Sequence, residues 1–376
     1  MRYETGKLDL SALLLPCCRA GEALARLDER VLRSTIRGGF LERQDFHDAA
    51  ASLWVDGELV HVEDLVLHDA RMDVRTPTHE LTIAHSVLRA RRQIFDQPPL
   101  WALSAPGLAR LRGRGQEPAS AHMPDAGGPV PSGPAAPVDA ASEQPDEVAE
   151  AGSGMDFAEI DALIARSSAI LDGVASPPAR KAASERDPLV YDADWDEEDR
   201  LSEWRLVVQD TAGLPPVLRA ALLLDAWNTL QVLQHIPWLG RQLVAAFLRQ
   251  EGPAVSHLAA VNAGLRSVPR ERRHARDRLS RLTAILEAFE LGAAQGLKTH
   301  DRLVLARLQL ERRLVKKRAH SRLPQLVDLV IARPVVSAGI IARELGVTIQ
   351  GALGLASELQ LREITGRERF RAWSIL

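Results

Sequence analysis

The chain has 376 residues, of which 46% are hydrophobic and only 4% aromatic, and its formal net charge is −3. This composition favours a leucine- and alanine-rich helical protein over a β-sandwich, and the length allows two or three domains of roughly 100–200 residues. No apolar run approaches the roughly 18 residues that a membrane span needs, and no secretion signal is recognised, so we expect a soluble cytoplasmic protein.

The first part of the chain, residues 1–103, is predicted to form an N-terminal helical domain. Its apolar residues recur on one face of each segment, with charged residues opposite, and Gly57 is placed to end a helix. Helices are predicted over residues 20–33, 41–57, 58–70 and 78–94. The histidines of this region lack the spacing of a common zinc site, so neither a metal nor another cofactor is predicted.

Residues 104–154 are predicted to form a disordered linker. Pro118–Ala151 is rich in Pro, Ala, Gly, Ser and acidic residues, and such a segment buries too little apolar surface to offset its chain entropy. A helical core is predicted for residues 155–300, beginning with a helix over Met155–Leu171. The acidic run Asp192–Asp199 either solvates a loop or lies against a basic region further along the chain.

That basic region runs from Gly264 to Leu323, where arginines and lysines far outnumber acids. Leucines between the charges predict an amphipathic helix with one packed face. The opposite face is interpreted as a phosphate-attracting surface that leads into the C-terminal module. A solvated basic face without a ligand is the alternative.

Residues 301–376 are predicted to hold a basic helix and a winged helix-turn-helix. Ser337–Gly346 is typical of a short helix closed by glycine, and Thr348 is placed to cap a second helix. Two short helices joined by a tight turn are typical of the helix-turn-helix, whose second helix enters a major groove. Residues at helical spacing are predicted to form the buried face of the second helix: Ile349, Ala352, Leu353, Ala356 and Leu359.

A hairpin around Thr365-Gly366 is predicted to form a basic wing. Its arginines are expected to contact phosphates or the minor groove: Arg362, Arg367, Arg369 and Arg371. Thr348 and Gln350 are expected to reach base edges. The outward positions of the second helix carry no positive charge, so a wing that serves structure or protein docking is the alternative.

Two stretches resemble Fic-type proteins, the family known for transferring AMP from ATP to a hydroxyl side chain. The residues that carry the first likeness are Arg43, Ala49, Ala51, Ser52, Asp56 and Gly57, and those of the second are Pro215–Trp227 and Gly240-Arg241. The resemblance implies that Ser52, Asp56 and Gly57 correspond to an inhibitory helix, with Asp56 in place of the family's glutamate.

The active-site loop of that family, His-Pro-Phe-x-Asp/Glu-Gly-Asn-Gly-Arg, is degenerate in this chain. Leu230–Arg241 keeps His235, Gly240 and Arg241, but no register supplies the base, the metal ligand and Gly-Asn-Gly together. The resemblance therefore implies a catalytically inactive scaffold. The chain also resembles an uncharacterised bacterial domain-of-unknown-function family with a C-terminal helix-turn-helix.

Three functions follow from these features. The first is a DNA-binding, transcription-regulatory protein on an inactive Fic-like scaffold, with double-stranded DNA as its partner. The second is a nucleotide-binding or AMP-transferring enzyme with an atypical loop. The third is a protein-interaction scaffold in which Asp192–Asp199 and Ser52–Gly57 bind another chain. A protein partner or a homodimer is a further prediction, and no membrane is expected.

Overall fold

The computed structural model of the chain describes residues 3–4, 6, 8–73, 76–113, 195–314, 322–364 and 371–375. Over these ranges the protein is mainly helical and ends in two short helices and a small sheet, which confirms the predicted fold class. Residues 114–154 of the predicted linker and the predicted helix Met155–Leu171 lie outside the described residues. No described helix is both long enough and apolar enough to cross a membrane.

The N-terminal part is built from consecutive helices that begin at recognisable caps. The side chains of Asp9, Thr78 and Ser104 accept the first free N–H groups of three of them, which satisfies donors that would otherwise have no partner. The bounds are α1 Leu10–Leu32, α2 Arg37–Asp56, α3 Val62–Asp69, α4 His79–Asp96 and α5 Ala105–Leu111.

Helix α5 shows that the predicted linker starts too early. Leu108 is 1% exposed, and Gly107 approaches the Trp101 carbonyl so closely that a Cβ there would lie 1.9 Å from its oxygen. The Pro106-Gly107 pair resembles linker composition, but proline suits the first turn of a helix and this glycine allows close packing.

The central part comprises six described helices. Their bounds are α6 Glu197–Asp210, α7 Pro216–Leu230, α8 Leu239–Gln250, α9 Val261–Arg266, α10 Arg270–Arg273 and α11 Arg278–Leu314. Helices α7 and α8 are buried along most of their length, which explains their nearly continuous apolar runs.

The acidic run ends inside a helix. Asp196 caps α6, and Glu197, Glu198 and Asp199 form its first turn, where negative charge is favoured by the helix dipole. Arg112 pairs with both Glu197 and Glu198. Interpreting the run as a solvated loop was therefore wrong for these residues.

The C-terminal part follows the order of a winged helix-turn-helix. Its bounds are α12 Leu323–Ala332, β1 Val336–Ser337, α13 Ala338–Leu345, α14 Ile349–Glu358, β2 Arg362–Glu363 and β3 Ala372–Ser374. The antiparallel sheet has the order β1-β3-β2, with Trp373 opposite both Val336 and Glu363.

One compact unit includes the described residues before residue 114 and after residue 194. Helix α11, with 37 residues, is about 55 Å long at 1.5 Å per residue. The predicted domain boundary between residues 300 and 301 falls inside this helix, which packs along α1.

Candidate nucleic-acid interface

The turn between α13 and α14 is fixed by two caps and one glycine. The Ser337 hydroxyl accepts the Ile340 N–H at 3.2 Å, and the Thr348 hydroxyl accepts the Gly351 N–H at 3.1 Å. Gly346 ends α13 in the left-handed conformation, with φ 63° and ψ 41°. The predicted cap at Thr348 and the predicted end at Gly346 are confirmed, and the turn is the tight connection that a helix-turn-helix requires.

Helix α14 exposes one face and packs the other. Ala352 and Ala356 are buried, and Leu359 is buried just beyond the last turn. Ile349 is 54% exposed, so its predicted place on the buried face was wrong: it is the first residue of α14, next to the exposed turn. The exposed residues of α14 are Ile349, Gln350, Gly354, Ser357 and Glu358. This face carries no cationic side chain.

The described part of the wing contains two of its four predicted arginines. Arg362 is exposed on β2. Arg371 donates to Glu363 from Nε at 2.9 Å and Nη2 at 2.6 Å, and its guanidinium lies over the Trp373 ring. Arg371 is thus already paired across the sheet. Arg367 and Arg369 lie in residues 365–370, outside the described residues, and their phosphate contacts stay a prediction.

A buried arginine of α2 joins the helix-turn-helix to the N-terminal helices. Arg43, 1% exposed, donates to the carbonyls of Val330, Ile331 and Arg333 at 2.5–2.9 Å. These carbonyls lie at the C-terminal end of α12, where a helix leaves acceptors free and carries partial negative charge. A Cβ on Gly39 would lie 2.7 Å from the Ile331 side chain, so α2 and α12 are in close contact.

Further polar contacts fix the same junction. Arg333 pairs with Asp69 at 2.8 Å and with Glu42 at 3.0 Å. Arg343 of α13 donates to the carbonyl of Ala70. The helix-turn-helix is therefore held against α2 and α3 at several points.

The far end of α14 is held by α11. Arg313 donates to the Leu359 carbonyl at 2.7 Å and to the Gln360 carbonyl at 3.2 Å. Positive charge at a helix C-terminus is favoured by the helix dipole. Arg313 therefore has a structural partner and is not a free cation of the basic run.

Several arginines of the basic run have acidic partners within the fold. Arg281 pairs with the buried Asp225 at 2.6 Å, and Arg272 pairs with Glu287. Arg307 pairs with Glu311 and Asp328. The prediction of a continuous phosphate-attracting face is therefore wrong for these paired arginines, and residues 315–321 of the run lie outside the described residues.

Three residues of the Fic resemblance meet in space. Arg241, 6% exposed, donates to both carboxylate oxygens of Asp56 at 2.9 and 2.6 Å and to the Ser52 hydroxyl at 2.9 Å. Gly57 follows with φ 98° and ends α2. The end of α2 is therefore tied to the first turn of α8 by a bidentate ion pair.

The other two residues of the degenerate loop have different surroundings. His235 is exposed in the segment between α7 and α8. Gly240 is buried under Trp227, and a Cβ on it would lie 2.3 Å from that ring. The glycine is thus required by packing against the indole, whereas the resemblance implied that its backbone cradles phosphates.

Long-range partners are the part of this site that sequence reasoning missed. Arg43 was noted only within the resemblance, and nothing around it indicates that it contacts residues near position 331. Arg313 was counted with the basic run. The contacts of the Trp54 ring with Arg266 and Arg273 were not predicted, because these arginines lie more than 200 residues from Trp54 in sequence.

No group of three His, Cys, Asp or Glu side chains within the described ranges is arranged to hold a metal ion.

Two parts of the chain match known protein families. Residues 189–315 match the family described as a protein of unknown function (DUF1612), and residues 323–376 match the HTH DNA binding domain. The chain is also 48% identical over 382 residues to the uncharacterized protein y4cF of Sinorhizobium fredii, with 100% of each chain covered. The predicted domain of unknown function with a C-terminal helix-turn-helix is thereby confirmed, whereas no comparison supports the Fic resemblance.

Proposed function

We propose that this chain, which belongs to the family of the uncharacterized protein y4cF and carries an HTH DNA binding domain, binds double-stranded DNA and regulates transcription. Helix α14 is the recognition helix of this proposal, and the wing contacts the flanking phosphates. The observation that carries it is the capped α13–turn–α14 unit, whose second helix exposes Gln350 and Ser357.

The uncharged face of α14 assigns separate roles to the helix and the wing. Phosphate contacts supply most of the affinity for DNA, and they require cations. Arg362, Arg367 and Arg369 provide them from the wing. Gln350 reads sequence, because a glutamine amide can bond the N6 and N7 atoms of adenine.

The test is the binding of labelled duplex DNA at several salt concentrations. Arg362, Arg367 and Arg369 are replaced together by alanine, and Arg371 is kept because it pairs with Glu363. The logarithm of affinity falls with the logarithm of salt concentration, with a slope of about 0.9 per phosphate contact. The magnitude of this slope should therefore be about 2–3 smaller for the triple variant than for wild type. A matched control replaces Arg19 and Arg26 of α1 together with Arg33, the residue that follows α1, and should keep the slope because all three are exposed.

A wild-type protein that binds no duplex even at low salt would contradict the proposal. Gln350→Ala supplies a separate test of base reading, by selection from a random duplex library. We expect it to relax preference at one base pair, worth about 1–3 kcal/mol, and to leave the salt slope unchanged.

The Fic-like scaffold stays a prediction, and one contact supports it. Ser52 and Asp56 come from one stretch of the resemblance and Arg241 from the other, and the three side chains are hydrogen-bonded together. No AMP transfer is proposed, because Leu230–Arg241 lacks the base, metal ligand and glycines of that chemistry.

A further inference from the structure

A second cationic surface lies at the C-terminal end of α2. The ring of Trp54, 36% exposed, has the guanidinium of Arg266 5.6 Å from its centre and that of Arg273 at 5.4 Å. Cations are attracted to the electron-rich face of an indole ring. Trp54 therefore holds two arginines near each other despite their repulsion. We call Trp54, Arg266, Arg270 and Arg273 the arginine–tryptophan patch.

The arginines of the patch are short of counter-ions. Arg266, Arg270 and Arg273 form no ion pair with any acid in the described part of the chain. Asp56, the nearest carboxylate on α2, is already bonded by two nitrogens of Arg241. The buried Nε of Arg273 also has no hydrogen-bond partner among the described atoms. Positive charge therefore remains uncompensated here.

The pKa values of two groups beside the patch are shifted. Burial, followed by the charges of Arg270 and Arg241, lowers the pKa of Arg273, although Asp56 and Glu271 oppose the shift. Desolvation, followed by the charges of Arg273 and Arg270, lowers the pKa of His274 below its ordinary value. Burial is the largest cause of both shifts, and the neighbouring arginines act in the same direction.

Helix α2 places the patch close to the helix-turn-helix. Arg43 holds the end of α12, and Trp54 follows it by eleven residues on the same helix. At 1.5 Å per residue this separation is about 16 Å along the axis, or about five base pairs of duplex at 3.4 Å each. A duplex held by the helix-turn-helix extends further than this.

We propose that the arginine–tryptophan patch binds the phosphates of duplex DNA flanking the segment that the helix-turn-helix contacts. The inference rests on the proposed DNA binding. It adds a sequence-independent contact from the body of the protein, which supplies cations that α14 lacks. Arg266 and Arg270 make the phosphate contacts because both are exposed, whereas Arg273 is half-buried and its Nε is enclosed.

The experiment compares two duplex lengths on the full chain. One duplex, of about 8 base pairs, reaches about four base pairs to either side of its centre and stops short of the patch, whereas the other, of about 24 base pairs, extends past the patch on either side. The variants are Arg266→Ala with Arg270→Ala, the same pair changed to lysine, and Arg19→Ala with Arg33→Ala as the charge-matched control. Thermal unfolding of each variant checks that the fold is kept.

If the patch contacts DNA, the affinity that the alanine variant loses should depend on the length of the duplex. The alanine pair should bind the short duplex like wild type but lose about tenfold on the long one, and its salt slope on the long duplex should fall by about 1–2. The lysine pair, which keeps the charges, should recover most of this loss, and the control pair should match wild type.

Two results overturn the inference while leaving the proposed function intact. If wild type and the variant with both alanines bind the long duplex equally, the patch does not contact DNA. An equal loss on both lengths shows that these arginines act on the helix-turn-helix site itself. A wild-type chain that binds neither duplex contradicts the proposed function as well, and is thus distinguished from both.

Discussion

At the scale of single residues, Arg43 has the most consequential surroundings. Its guanidinium is buried, and its partners are three carbonyl oxygens at the end of α12. Burial lowers its pKa to about 10, so it stays charged at neutral pH. The partial negative charge of the helix terminus stabilises that cation where an ordinary interior would not.

Replacing Arg43 with methionine should destabilise the protein while keeping most of the buried volume. Three carbonyls lose their charged donor, and we expect the free energy of unfolding to fall by about 2–4 kcal/mol. Urea unfolding followed by circular dichroism measures the change. Arg89→Met, at an exposed position of α4, is the control and should stay within about 0.5 kcal/mol of wild type. Equal effects of the two substitutions would show that the α12 contact contributes nothing.

The difference between Thr348 and Arg43 shows what could be predicted from the sequence. A cap acts within three residues, so Thr348 and Gly346 were recognisable from local pattern. Ile331, one of the partners of Arg43, lies 288 residues further along the chain. No local sequence pattern predicts a contact over such a separation. Asp56 and Arg241 were singled out only because both belong to the Fic resemblance, and their ion pair was not predicted. Ile349 fitted the helical period but lies at the helix start, where the period alone does not determine burial.

At the scale of elements, two of the four glycines in the α13–turn–α14 unit have opposite requirements. Gly346 has φ 63°, a conformation that costs other residues energy. Gly354 lies within α14 on the exposed face, and a Cβ there would meet nothing within 4 Å. One glycine is therefore required by the backbone, whereas the other only weakens its helix.

Alanine at these two positions should shift stability in opposite directions. Gly346→Ala should lower the free energy of unfolding by about 1–2 kcal/mol, and Gly354→Ala should raise it by up to about 1 kcal/mol. Urea unfolding of both variants measures the two effects. If α14 enters a groove, the added methyl of Gly354→Ala also lowers DNA affinity while stability rises. Unchanged DNA affinity would show that this face of α14 does not contact DNA.

At the scale of the whole molecule, Asp69 joins the N-terminal helices to the C-terminal domain. It accepts from Arg92 at 2.7 Å and from Arg333 at 2.8 Å. Burial alone would raise its pKa, but the hydrogen bonds and charges of the two arginines outweigh burial and lower the pKa to about 2. The carboxylate is therefore held ionised well into the acid range.

This shift predicts how the Asp69 contribution depends on pH. Because the folded-state pKa lies below the ordinary 3.8, the contribution is complete above about pH 4 and is lost as the pH falls towards 2. Asp69→Asn should lower the free energy of unfolding at pH 7 by an amount on the order of 2 kcal/mol. Urea unfolding at pH 7, 4 and 3 should show the gap to wild type closing only at the acid end.

Asp64→Asn on the exposed side of α3 is the matched control and should follow wild type within about 0.5 kcal/mol at each pH. A gap between Asp69→Asn and wild type that is unchanged from pH 7 to pH 3 would show that the ion pairs with Arg92 and Arg333 do not depend on the ionised carboxylate.

The Arg43 contact also bears on how the protein is made. Ribosomes add about 5–20 residues per second, and Ile331 is synthesised 288 residues after Arg43. The arginine thus leaves the ribosome roughly 15–60 seconds before its acceptors exist. During that interval α12 does not yet exist to cover the α2 surface. A nascent chain that stops before residue 323 never forms the Arg43 contact. The orientation of the DNA-binding domain against α2 is therefore set only after α12 has been synthesised.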